Sequence, residues 1–188
     1  MLFQVPEFSS YVWISGFNVR PANVEEILRT AQERLPKVCA QLVDLNKVAG
    51  SRYLFLATYN ALKSFHAKQS ISRTLGMEIL LYVAANRQIS EALRQVGIGV
   101  ETHRIAAIAV GPTREEVIAA GNLLEELLNA KSTDELLDSW PSERTEAVKT
   151  GFGISPKELA ATIRRNEDTS KAIERLAIER SALLTIRK

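Results

Sequence analysis

Short stretches of apolar and β-branched residues predict three strands, near residues 11–17, 38–45 and 104–110. The last of these, Arg104-Ile-Ala-Ala-Ile-Ala-Val110, has the strongest strand pattern and is followed by a Gly-Pro pair that ends it. A further apolar run at 183–186 predicts a final strand. That strand would place the two termini next to each other in one sheet.

Apolar positions spaced three and four residues apart predict a series of helices. They fall near 23–34, 51–69, 72–84, 89–96 and 113–130, from Ser155 onward, and at 168–182. Thr113 and Glu116 form a capping box at the start of one of them. The continuous run Ile79-Leu-Leu-Tyr-Val83 could instead be a buried strand, but apolar residues recur there at every fourth position, which favours a helix.

The predicted strands and helices alternate irregularly, without a repeat of 20–50 residues. This order indicates an α+β fold in which a small mixed sheet is covered by several helices. The whole chain, 1–188, is expected to form one domain. Residues 131–155 are mixed and polar, and they are expected to form an elaborated connection rather than a linker.

Composition adds limits on the class of protein. The chain has 188 residues, of which 46% are hydrophobic and 24% charged, values typical of a globular domain. The net charge of +2 argues against a strongly basic, histone-like nucleic-acid binder. The single cysteine cannot form an internal disulfide and suggests a reducing compartment such as the cytoplasm. We expect neither a signal peptide nor a membrane span, because no long apolar run is present.

The sequence carries no complete catalytic motif. The dinucleotide fingerprint, the phosphate-binding loop and the Gly-x-Ser-x-Gly elbow are all missing. A nucleophile pair of Cys39 with His66 or His103 is formally possible, but Cys39 lies in an apolar strand and is expected to belong to the core. Two histidines and one cysteine do not suffice for a zinc finger or a His-rich metal site. We therefore expect a binding protein that uses no cofactor or metal.

Charge is unevenly distributed along the chain. Residues 51–111 hold seven basic and three acidic side chains, whereas residues 112–150 hold four basic and nine acidic ones. A basic middle next to an acidic stretch could attract an anionic partner to one side of the protein. The alternative is that these charged side chains only form the solvent-exposed faces of helices.

Four short motifs in the middle of the chain resemble one protein family. They are Glu78-Ile-Leu-Leu-Tyr82, Arg87-Gln-Ile89, Ser90-Glu-Ala-Leu93 and Gly97-Ile98. Together they resemble the Cgi-type subunit of the KEOPS/EKC complex, the family of the PRPK-binding protein TPRKB. Val96 stands where that family usually has phenylalanine. The matching part covers about a third of the chain, and the closing run Glu179–Ile186 also resembles the end of the family pattern.

The resemblance implies a non-catalytic accessory subunit. Family members bind the N-lobe of a small Bud/PRPK-type atypical kinase, which in turn binds the threonylcarbamoyl transferase subunit. The assembly makes threonylcarbamoyladenosine beside the anticodon of tRNA, and archaeal members also bind the unpaired 3′ CCA end. Two alternatives stay open: a stand-alone enzyme that uses Cys39 or His66, and an interaction domain with no role in RNA binding.

Within that resemblance, seven residues are candidates for binding the RNA end. An unpaired end offers base faces and phosphates, so cations and hydrogen-bonding side chains should converge there. The candidate cations near the ends of the two central helices are Lys68, Arg73 and Arg87, and the candidate hydrogen-bonding residues are Ser72, Thr74, Asn86 and Gln88. Glu78 and Asn86 have an alternative role in helix and turn structure, which we favour for Glu78.

For the kinase contact, the C-terminal helices offer four apolar candidates: Ile163, Ile173, Leu176 and Ile178. They do not all fit one helical stripe, so one or two could be exposed as anchors for a partner. The equal alternative is that all four belong to the core.

Overall fold

In a computed structural model, which describes residues 1–185, four strands form one sheet. The strands are β1 (Leu2–Val5), β2 (Ser10–Asn18), β3 (Cys39–Asp44) and β4 (Arg104–Gly111). Their order across the sheet is β1-β2-β4-β3, and all three pairings are antiparallel. The α+β class is thus confirmed, and the expected mixed sheet is an antiparallel one.

Eight α-helices surround the sheet in the described part of the chain. They are α1 (Val24–Arg34), α2 (Ser51–His66), α3 (Leu75–Ala84), α4 (Ile89–Val96), α5 (Arg114–Leu128), α6 (Ser142–Gly151), α7 (Pro156–Thr162) and α8 (Thr169–Ala182). The helix predicted at 72–84 is therefore confirmed over most of that range as α3. Among residues 1–185, none of the helices has the length and apolar character needed to cross a membrane.

The sheet separates two hydrophobic layers, because successive side chains of a strand point to opposite faces. On one face Phe17, Leu42 and Ile105 pack in a smaller cluster with apolar side chains of α1 and α5. On the other face Ile14 and Ile108 belong to the main core, which they share with α2, α3 and α8. Helix α3 is buried along most of its length, which explains its continuous apolar sequence.

One backbone donor of the edge strand β3 is bound by a side chain of the same strand. The Gln41 side-chain oxygen accepts the backbone N–H of Leu42 at 2.9 Å, and its amide nitrogen donates to the carbonyl of Gly76 at 3.0 Å. Because Gly76 lies in the first turn of α3, Gln41 also ties this strand to the start of that helix.

The predicted final strand is wrong for the residues that the structure describes. Leu183–Thr185 form a 3₁₀ turn that follows α8, and Ile186 lies outside the described residues. Leu184 is only 2% exposed, so this residue is buried in the core without pairing with the sheet. The N-terminal edge strand β1 was not predicted.

The connection 131–155 is tied to the core by a buried arginine. It contains a 3₁₀ turn (Asp134–Asp138) and helix α6, from which Arg144 reaches inward with no exposed surface. The Arg144 guanidinium donates to the carbonyls of Val48, Leu136 and Ser139 and lies 4.7 Å from the Trp140 ring centre. Burial lowers the pKa of Arg144 to about 10.

Candidate functional site

The turn between α2 and α3, residues 67–74, holds four of the seven predicted RNA-binding residues. After α2 ends at His66, Lys68 adopts a left-handed backbone conformation with φ of 55°. Its N–H donates to the carbonyl of Phe65, and the N–H of Gln69 donates to that of Ser64. These bonds reverse the chain, so that α3 packs beside α2.

The second half of this turn is fixed by Glu78. This side chain has no exposed surface, and its carboxylate accepts the N–H of Ile71 at 3.0 and 3.1 Å and that of Ser72 at 2.8 Å. A buried carboxylate without such donors would be strongly unfavourable. Glu78 therefore has the turn-forming role that the sequence favoured.

The seven predicted residues do not converge. Lys68, Ser72, Arg73 and Thr74 belong to the turn before α3, whereas Asn86, Arg87 and Gln88 follow its other end. The ten residues of α3 span about 15 Å at 1.5 Å per residue. The expected meeting of Arg87 with Lys68 and Arg73 is thus wrong, because a whole helix separates them.

Several of the seven polar side chains are engaged locally. The Ser72 hydroxyl donates to the Thr74 carbonyl at 2.8 Å, and the Thr74 hydroxyl accepts the N–H of Met77 as the cap of α3. The Asn86 side chain accepts the N–H of Gln88, and Arg87 donates to the Leu184 carbonyl at 3.2 Å. The Gln88 side chain does not cap α4 and is exposed.

Lys68 and Arg73 differ from the residues around them. Both are exposed, and within residues 1–185 their side chains have neither a hydrogen bond nor an ion pair. They can therefore meet an anion without first breaking a contact within the chain.

A groove of about 470 Å³ adjoins this turn. Its walls are the second half of α1, the segment Pro36–Gln41 and the first residues of α3, Thr74–Met77. Arg29 and Lys37 add two exposed cations to its lining. Sequence reasoning missed both, because they lie in a part of the chain with balanced charge and more than thirty residues before α3.

The four apolar kinase-contact candidates have very different surroundings. Ile173 is 0% exposed and Leu176 is 7% exposed, so both belong to the core and neither can serve as a surface anchor. Ile178 is half-buried against the same core. Ile163, at the end of α7, remains 39% exposed.

Ile163 begins the turn between α7 and α8. This turn is tied to α8 by the ion pair of Glu167 with Arg175. Arg175 forms a two-point contact with the Glu167 carboxylate and also donates to the Thr162 carbonyl at 2.8 Å. Glu167 in turn accepts the N–H of Arg164 at 3.1 Å. The hydrogen bonds from Arg175 lower the pKa of Glu167 to about 2, so Glu167 is ionised and the ion pair with Arg175 is present at neutral pH.

The residues considered for nucleophilic chemistry lie apart. Burial raises the pKa of the half-buried Cys39 thiol to about 12, which keeps it protonated at neutral pH. The His66 ring stacks on Phe8 with 5.0 Å between ring centres, and exposed His103 faces the Glu101 carbonyl. In the described part of the chain, no three His, Cys, Asp or Glu side chains are grouped so as to hold a metal ion.

Comparison with known proteins gives two matches. Residues 18–185 match the family described as kinase binding protein CGI-121. Over 106 residues the chain is 26% identical to the EKC/KEOPS complex subunit CGI121 of Yarrowia lipolytica (strain CLIB 122 / E 150). The aligned part covers 56% of this chain and 62% of that relative, which is less than two-thirds of its length.

Proposed function

Because this chain belongs to the CGI-121 family of kinase-binding proteins, whose pattern covers residues 18–185, we propose that it is a non-catalytic accessory subunit of a KEOPS/EKC complex. In this role it binds a Bud/PRPK-type kinase and helps to recruit tRNA for threonylcarbamoyladenosine formation beside the anticodon. The threonylcarbamoyl transferase subunit is then an indirect partner, reached through the kinase. We place this role in the cytoplasm and assign it no cofactor.

The family match over most of the chain is the observation that carries the kinase-binding part of the proposal. The test is co-expression with a Bud/PRPK-type kinase from the same genome, followed by affinity capture through the kinase and size-exclusion chromatography. We expect the two proteins to elute together as a stable complex. Separate elution of two folded proteins would reject kinase binding.

The proposed recruitment of tRNA is supported by the turn 67–74 and its groove. The bases of an unpaired 3′ CCA end could enter the groove, while Lys68 and Arg73 meet the phosphates. Arg29 and Lys37 would extend this positive surface along the groove wall. Asn86, Arg87 and Gln88 lie beyond α3 and would contact only a longer stretch of RNA.

A gel-shift titration with tRNA that carries or lacks its CCA end tests this proposal. We expect tighter binding to the complete tRNA. The double variant K68E/R73E should bind more weakly and show a less steep dependence on salt, by about 1.4 in the logarithmic slope for two lost single-strand phosphate contacts. The control R114E/K157E makes the same change of net charge at exposed cations on α5 and α7.

The control separates a local site from a general effect of charge. Equal weakening by the two double variants would show that only net charge matters and would reject the site. Equal binding of tRNA with and without CCA would reject recognition of the 3′ end, even if the kinase complex forms.

A further inference from the structure

Helix α4 exposes two large apolar side chains on one face. Ile89 is 44% exposed and Leu93 is 49% exposed. Side chains four residues apart on a helix are neighbours, so the two form one continuous apolar area, which we call the α4 strip. Ala92 and Val96 on the same apolar face have no exposed surface, so the strip is the exposed margin of the face by which α4 packs on the core.

The α4 strip is held on a firmly anchored helix. Besides its buried face, the end of α4 is tied down by Gln95, which donates to the Gly151 carbonyl at 2.9 Å. Lys47 donates to the carbonyl of Gly97, the residue that ends the helix. A strip that is already ordered costs less entropy when a partner binds it.

The two charged side chains of α4 lie on the side of the helix away from the strip and compensate each other. Glu91 and Arg94 form an ion pair at 2.6 Å, and α4 has no further charged side chain. A neutral aliphatic surface suits an apolar protein patch. It does not suit RNA, because Ile89 and Leu93 have no aromatic face for bases and the helix offers no unpaired cation for phosphates.

An exposed apolar tip follows the helix. Val100 is 83% exposed, in a loop that is fixed by Thr102. The Thr102 hydroxyl donates to Asp44 at 2.9 Å and accepts the N–H of Gly99 at 3.0 Å. A fixed apolar side chain close along the chain to α4 increases the surface that a protein partner could cover.

We propose that the α4 strip is the surface on which the kinase docks, through an apolar patch on the kinase. This inference rests on the proposed function, since the kinase is the protein partner to which the family match points. Ile163 is the rival anchor, but it is a single apolar side chain followed by Arg164 and Arg165, both exposed cations. Two adjacent aliphatic side chains with balanced charges offer the better centre for a desolvated contact.

Binding of the purified kinase to single variants tests this assignment. Leu93→Asp and Ile89→Asp place a charge in the strip and should each weaken the affinity, with Leu93→Asp lowering it by about 30-fold or more, as expected for a central contact. Because both residues are exposed, the melting temperature should change little. Ile118→Asp is the matched control, since Ile118 on α5 is also an exposed apolar residue, at 38%.

Ile163→Asp completes the set of variants. Loss of affinity in the two α4 variants, with Ile118→Asp and Ile163→Asp unaffected, supports docking on α4. Loss in Ile163→Asp alone, or no loss in the α4 variants, overturns the assignment while kinase binding itself stands. Failure of the unmodified protein to bind the kinase overturns both the inference and the proposed function.

Discussion

Glu78 shows how one side chain can fix the loop that precedes its own helix. Its buried carboxylate accepts two backbone N–H groups from the turn 67–74, so the positions of Arg73 and Lys68 depend on it. Neither of these cations is held by a side-chain contact within residues 1–185. The geometry of the candidate RNA site therefore depends on a residue that does not itself face the RNA.

Glu78→Gln should destabilise the protein. The substitution removes a charged acceptor and turns an NH₂ group towards backbone donors, which is expected to cost about 1–3 kcal/mol of unfolding free energy. Urea denaturation measures this change. Glu115→Gln, at an exposed position in the first turn of α5, is the control and should change stability by less than about 0.5 kcal/mol. Equal stability of the Glu78 variant and the unmodified protein would contradict the turn-forming role.

At the residue scale, the sequence predicted the role of a polar side chain better than the solvent exposure of an apolar one. It favoured a role in helix and turn structure for Glu78, and the buried carboxylate has that role. It could not tell buried Ile173 from exposed Ile163, because α8 is covered by several other helices and its burial does not follow one stripe. Whether such an apolar side chain is exposed depends on its contacts with residues that are distant along the chain.

The contact between α5 and the sheet depends on the absence of one side chain. A Cβ atom at Gly121 would lie 2.8 Å from Cε2 and 2.9 Å from Cζ2 of the Trp13 indole. A bulky, rigid ring cannot move aside as a flexible chain end can. Gly121 thus allows α5 to lie close to strand β2.

Gly121→Ala should lower stability even though alanine is the better helix former. Overpacking costs about 1–3 kcal/mol, which equals or exceeds the roughly 1 kcal/mol that alanine gains over glycine in a helix. Thermal unfolding of Gly121→Ala, Trp13→Phe and the double variant measures the coupling. The cost of the alanine should shrink when phenylalanine replaces the indole. A higher melting temperature for Gly121→Ala alone would refute the steric account.

At the element scale, cap signals and periodicity were informative, whereas apolar runs alone were not. The capping residues Thr113 and Ser155 mark the starts of α5 and α7 as predicted. The run that begins at Leu183 places Leu184 in the core and does not pair with the sheet in the described residues. Helix α6 escaped prediction because one of its two buried residues is an arginine, Arg144, whose burial depends on carbonyls from elsewhere in the fold.

The two proposed binding surfaces lie near opposite ends of strand β3. The groove beside turn 67–74 adjoins the start of β3, where the Gly76 backbone approaches Cys39. The end of α4 contacts Lys47, just beyond the other end of that strand. The six residues of β3 span about 17 Å, so the two surfaces share no residue and are separated by the length of this strand.

Kinase and tRNA should therefore bind independently. Leu93→Asp should leave tRNA affinity unchanged, and K68E/R73E should leave kinase affinity unchanged, because the variant sites share no contacts. Titration of tRNA into the chain with and without saturating kinase measures the coupling. The melting temperature of each variant shows whether its chain is still folded. Loss of both activities in one folded variant would show that the surfaces overlap.

Gln41 has a consequence for the behaviour of the protein at high concentration. An edge strand with unpaired backbone N–H and C=O groups is a template onto which another chain can add, and such addition leads to fibrous aggregates. At this edge of β3 the Leu42 N–H already donates to the Gln41 side-chain oxygen. The Gln41 side-chain nitrogen in turn donates to the Gly76 carbonyl. The same glutamine that joins strand to helix thus leaves one backbone donor fewer at this edge for a foreign chain to pair with.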